Sequence, residues 1–194
     1  MQTKTGLYFL FFLSILILNG CVSYGNYPKV ESFESKKEYP HLKYTLSGTK
    51  GWGGGSRSLE ETLKLEGNFK SIEKLGTNLE TNLETKEETG LFINAKTHAI
   101  APSIPAMAFG YASYATATFL PFWSTQDGYE ITFEVYNDGK RLKNYNYSSN
   151  RRTFVWMPMI VLVWVNYFTP SEKDVFAAIT RQFLIDAEPV LNSI

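Results

Sequence analysis

The stretch "YEITFEVYNDGKRLKNYNY", residues 129–147, has the clearest local pattern in the chain. Tyr129, Ile131, Phe133 and Val135 alternate with Glu130, Thr132, Glu134 and Tyr136. A period of two places the first set on one face of a strand and the second set on the other. Asn137-Asp138-Gly139 supplies a turn, and Leu142, Tyr145 and Tyr147 sit on the returning strand. An Asp-Gly pair between alternating runs is a strong hairpin signal, because glycine accepts the positive φ that tight hairpins require. Two strands alone are barely stable in water, so the hairpin needs more sheet, a helix or a membrane behind its apolar face.

Two further strands are expected upstream, in "KYTLSGTK" with Tyr44 and Leu46, and in "GLFINAK" with Leu91 and Ile93. Between them, Ser58 and Glu61 have the spacing of a capping box ahead of Leu59, Leu63 and Leu65, which predicts a helix that falters at Gly67-Asn68. Ile72, Leu75, Leu79 and Leu83 extend a helical pattern through the tandem "TNLETNLET". The glutamates around it read as a solvated acidic face. At the C-terminal end, Pro170-Ser171 and Asp174 mark a helix start, and Val175, Ile179, Phe183, Ala187 and Leu191 recur every fourth residue. Such a stripe packs on a sheet or on a second helix.

Two stretches are free of Lys, Arg, Asp and Glu: residues 97–126 and 153–171. The first pairs small residues four apart, Ala106 with Gly110 and Ala108 with Ala112, as closely packed membrane helices do. The second contains "FVWMPMIVLVWVNYF". The expected fold class is therefore α+β. It has a small antiparallel sheet, amphipathic helices and two apolar, membrane-contacting helical segments at 99–123 and 154–169. These segments are expected to span the bilayer, to enter and leave it on one side, or to stay out of it.

The start of the chain is read differently. Lys4 precedes an apolar run at 7–18, and Leu18-Asn19-Gly20-Cys21 follows. A basic start and an apolar core too short to span comfortably have the layout of a secretory signal. With Leu18, Gly20 and Cys21, the end of this run resembles the lipobox of bacterial lipoproteins, a resemblance confined to residues 1–21. It implies that Cys21 becomes the first residue of the mature chain and carries lipid on its sulfur and its amine. Cys21 is the chain's one cysteine, so an intrachain disulfide and a cysteine-based zinc site are both excluded. The domain expectation is a signal peptide over 1–20, a tether over 21–40 and an α+β domain over 41–194. Val22, in place of the Asp that in some bacteria marks inner-membrane retention, favours the outer membrane.

Basic and acidic residues number 19 each, so there is no electrostatic footprint for nucleic acid. "GWGGGS" at 51–56 lacks the lysine of a phosphate loop and reads as a turn. His41 and His98 are the chain's two histidines and lie on separate segments, an unpromising basis for a metal site. No nucleophile, metalloprotease or dinucleotide motif occurs, so no catalytic, cofactor or metal residue is assigned. The expected function is a membrane-anchored, non-enzymatic scaffold of the cell envelope. Its partners would be membrane lipid, through the acyl chains on Cys21, and a membrane protein. The alternative is a lipid-binding or transport accessory subunit whose apolar segments line a cleft.

Overall fold

The structure, a computed structural model, describes residues 20–35, 37–49, 54–76 and 89–194. The signal region before Gly20 and the helix expected over Leu79 and Leu83 lie outside the described residues.

In chain order the elements are β1 (Gly20–Gly25), β2 (Leu42–Gly48), α1 (Gly55–Glu66), β3 (Ile72–Lys74) and β4 (Leu91–Ile100), then α2 (Ile104–Ala115), β5 (Phe122–Asn137) and β6 (Lys140–Val155), and finally a 3-10 segment (Met157–Phe168) and α3 (Glu172–Leu191). The strands form one six-stranded sheet in the order β1-β6-β5-β4-β2-β3. β1 pairs antiparallel with β6, whereas β2 runs parallel to both β3 and β4. The sheet is thus mixed and larger than the small antiparallel one expected. Parallel neighbours need a crossover, and α1 supplies it between β2 and β3. The chain divides into two compact units. Unit 1 takes Ile100–Gly128 and Asn150–Pro170 with the chain up to Gly25; unit 2 takes Asn26–Ala99, Tyr129–Ser149 and Ser171–Ile194. β5 and β6 each contribute to both.

Unit 2 holds most of the core. Tyr129, Ile131, Phe133 and Val135 are buried, as their alternation requires. The Phe133 ring stacks on Phe183 of α3 with centroids 4.1 Å apart, and Tyr129 meets Phe176 edge-on at 5.1 Å. All five residues of the C-terminal stripe are buried, and Ser171 caps α3 in a reciprocal capping box with Asp174. The hairpin turns at Asp138 and Gly139, with φ of 50° and 73°. Two positive φ values in succession match the short turn whose twist suits antiparallel strands. The Asp138 carboxylate accepts the Gly90 N–H at 2.8 Å, which ties the turn to the start of β4.

Three sequence expectations are corrected. The first concerns the membrane-contacting helices at 99–123 and 154–169. Residues 99–100 finish β4, 122–123 begin β5 and 154–155 end β6. Between these, α2 has 12 residues, which is about 18 Å of helix against a hydrocarbon core of roughly 30 Å. The 3-10 segment is also 12 residues long, about 24 Å at its steeper rise. Among the described residues no helix is long and apolar enough to cross a membrane.

The second correction concerns α1, which starts at Gly55 rather than at Ser58. Gly54 is the left-handed N-cap, and the Ser58 hydroxyl donates instead to the Lys173 carbonyl. Leu59 and Leu63 are buried as expected, but Leu65 is 83% exposed. Third, Ile72 belongs to strand β3, not to a continued helix.

Residues 21–40, expected as a tether, carry β1 and then the buried Phe33 and Tyr39. The Phe33 N–H donates to Glu66, and Arg181 donates to the Val30 carbonyl.

Candidate functional site

Cys21 is the site residue singled out by sequence. It lies in β1 opposite Phe154 of β6 and is half-buried, with a free thiol. Its neighbour Val22 is held on the other side by the 3-10 segment. The Val22 N–H donates to Asn166 Oδ1 at 3.2 Å, and the Thr169 hydroxyl donates to the Val22 carbonyl at 3.1 Å.

Unit 2 has a cavity of about 570 Å³ where β2 meets α1, lined by Ser47, Gly48, Arg57, Glu60, Glu61, Lys64, Lys74 and Thr97 among others. Glu60 is its best-bonded group. It accepts from Tyr44 Oη at 2.8 Å, from Lys64 Nζ at 2.7 Å and from Lys74 Nζ. Burial alone would push the Glu60 carboxyl up, but the hydrogen bonds from Lys64, Lys74 and Tyr44 more than offset it and hold it at about 2. Tyr44 is pushed up to about 12, by burial first and by its bond to Glu60 second. A carboxylate held that low is a poor proton acceptor near neutral pH, and a phenol held that high is a poor donor. The arrangement serves as an ion cluster bracing α1 against β2 and β3.

The start of α1 is where a phosphate cradle would have to lie. There the N–H of Gly55 donates to Glu172 Oε1 at 3.0 Å, and Tyr129 Oη donates to Glu172 Oε2 at 2.8 Å. Glu172 is 7% exposed. The positive end of the helix dipole is therefore met by the protein's own carboxylate. A Cβ on Gly55 would come within 2.7 Å of the Phe176 ring and 2.9 Å of that carboxylate, so this residue has to be small. The sequence reads this glycine only as part of a turn and leaves no trace of Glu172, which comes from 117 residues away.

The two histidines do not form a site. His41 contacts Ser71 and Glu73, while His98 is exposed on β4. Among the described residues no three His, Cys, Asp or Glu side chains gather as a metal-binding group.

Unit 1 differs in kind. Of the 12 residues of α2, only Gly110 and Ser113 are buried. Ile104, Met107, Phe109, Tyr111 and Tyr114 are exposed on this helix, as are Phe119, Leu120 and Trp123 just after it. On the 3-10 segment, Tyr167 and Phe168 are 89% and 80% exposed, and Trp164 is also exposed. Phe109 and Trp123 stack with centroids 6.0 Å apart beside a cleft of about 210 Å³ that includes Ser124, Thr125 and Gln126. Beneath, the buried Asp127 accepts from Ser124 Oγ at 2.7 Å and from Arg151 Nε at 2.7 Å. Stretches 99–123 and 154–169, expected as membrane-contacting helical segments for their lack of charge, hold these exposed aromatics.

No family model matches the chain, and no curated protein matches it. Among solved structures, it is similar to the PelC dodecamer from Paraburkholderia phytofirmans at 8% identity, covering 84% of this chain and 95% of that one, with a TM-score of 0.30. It is similar to a homologue of a neuraminyllactose-binding hemagglutinin from Helicobacter pylori at 8% identity, covering 87% and 97%, with a TM-score of 0.38. It is also similar to the rare lipoprotein B from Shewanella oneidensis at 14% identity, covering 77% and 98%, with a TM-score of 0.35. Resemblances this loose assign neither a family nor a ligand.

Proposed function

We propose that the chain is a lipid-anchored protein of the cell envelope, held through Cys21 and acting as a non-enzymatic scaffold that engages a protein partner through unit 1. The observation that carries this is the exposed aromatic and aliphatic surface of α2 and the 3-10 segment, drawn from two stretches without a formal charge. Monomeric soluble proteins seldom leave large contiguous apolar patches uncovered, and aromatics are enriched in the centres of protein interfaces. A surface supports partner binding better than it supports the alternative of a lipid-carrying cleft. The larger cavity is lined by Arg57, Glu60, Glu61, Lys64 and Lys74, which suit an acyl chain poorly.

Anchoring and engagement are tested separately. Cells supplied with labelled fatty acid should label the natural chain, and Cys21→Ala should abolish the label and leave an unprocessed precursor. Labelling of that variant would end the anchoring part. Replacing Tyr111 and Trp123 together by Ser should leave the circular dichroism and melting curve unchanged and remove the protein's cellular phenotype. Full complementation by that variant would contradict a working role for the surface.

A further inference from the structure

β1 is an edge strand, and an edge strand normally presents unpaired N–H and C=O groups. Along a strand, the N–H and C=O of one residue point to the same side, and successive residues alternate. At Val22 both groups are taken by side chains at the end of the 3-10 segment, Asn166 Oδ1 and, just past its last residue, Thr169 Oγ1. The clamp is itself tied together, because the Thr169 backbone N–H donates to the Asn166 carbonyl at 3.4 Å. On the opposite side, the five residues Cys21 to Gly25 that the mature chain keeps pair with Phe154 back to Asn150. The chain next to Cys21 is thus gripped on both edges within unit 1.

We infer that the residue after the lipid-bearing cysteine is locked into unit 1 by Asn166 and Thr169, so that the protein works at the membrane surface rather than at the end of a free tether. This builds on the lipidation of Cys21 proposed above. The consequence for reach is large. A free segment over 22–40 would behave as a coil with an end-to-end distance of about 25 Å and could stretch to roughly 60 Å. With Val22 locked, a single residue step of about 3.4 Å separates the anchor from the folded unit. Unit 1 is then held next to the membrane.

The test uses the full-length lipidated protein, purified from membranes and reconstituted in phospholipid vesicles. Intact mass reports the acyl chains, and hydrogen exchange reports the amides of residues 22–25. With lipid present, these amides should exchange at least about 100-fold more slowly than in an unstructured peptide, as amides in a stable sheet do. Asn166→Ala with Thr169→Val should remove that protection at the Val22 amide and leave β4 protected. The pair Asn166→Asp with Thr169→Ser keeps an acceptor and a hydroxyl and should retain protection. If the first pair fails to fold, the natural chain and the second pair still decide the matter. Coil-like exchange at 22–25 in the lipidated natural chain would overturn the inference while leaving the anchor intact. A mature chain without acyl mass would instead overturn the anchoring and, with it, the surface-bound geometry. Neutron reflectometry on supported bilayers adds a second readout: protein density should begin at the headgroups, and a water gap of tens of ångströms would contradict the lock.

Discussion

Units 1 and 2 spend their aromatic residues in opposite ways. In unit 2, Phe133, Phe176, Phe183 and Tyr129 stack inside the core, and charged groups close the surroundings through Glu60, Glu66, Glu134 and Glu172. In unit 1, Phe109, Tyr111, Trp123 and Trp164 are exposed, and the buried polar work falls to Asp127 with Ser124 and Arg151. Composition alone cannot tell these roles apart, since both regions are rich in apolar rings. The difference lies in what the rings touch: those of unit 2 pack on one another, and those of unit 1 are exposed.

The sharpest way to break this comparison is to remove one ring from each region. Phe183→Ala deletes a ring stacked on Phe133 and met edge-on by Tyr145. It should cost about 3–5 kcal/mol, the usual range for a fully buried phenylalanine. Chemical denaturation would measure it, and a loss under about 1 kcal/mol would mean that the core is not centred there.

Glu172→Ala comes next. It would leave the Gly55 N–H and the Tyr129 hydroxyl without the carboxylate that accepts from them, at a cost of about 2–3 kcal/mol for a buried charged acceptor. A neutral outcome would show that α1 needs no internal anion.

Gly139→Val forces a β-branched residue into a left-handed turn and should lower stability by about 1 kcal/mol or more. An unchanged melting temperature would dissociate the turn from the stability of unit 2.

Acid titration sharpens the contrast further. The Glu60 carboxyl is held at about 2, below its unfolded value near 4.5, so its contribution is complete above pH 4.5 and is lost as the pH falls from there towards 2. Glu60→Gln should flatten the stability profile in that window; an identical slope in both proteins would discount the cluster. The smallest effect is expected in unit 1, where Tyr111→Ser should change stability by no more than about 0.5 kcal/mol, as for an exposed side chain.

These contrasts follow how far each element could be read from the sequence. The hairpin was legible because its alternation and its Asp-Gly turn are local, and α3 because its stripe and cap lie within its own residues. β1 was not, since "CVSYG" acquires its strand partner from residues about 130 positions later. β3 is three residues long and leaves no periodic trace. The start of α1 was misplaced because Ser58 and Glu61 imitate a cap, while the groups that meet the true start, Gly54 and Glu172, carry no local signal. Stretches 99–123 and 154–169 were misread because an uncharged run looks the same whether it lies in lipid, in a core or on an exposed face. Cys21 was singled out by its motif, whereas Asn166 and Thr169 were not, because side chains that cap a distant backbone have no pattern in sequence.

The central proposal is that the exposed rings of unit 1 meet a partner. Its most direct measurement places a photoreactive amino acid at Tyr111 or Trp164 in unit 1, and at Lys140 or Glu73 in unit 2, in living cells. Illumination should give one discrete adduct, of the same protein, from both unit 1 positions and none from the unit 2 positions. Equal adducts from both units, or adducts from Lys140 and Glu73 alone, would contradict the account.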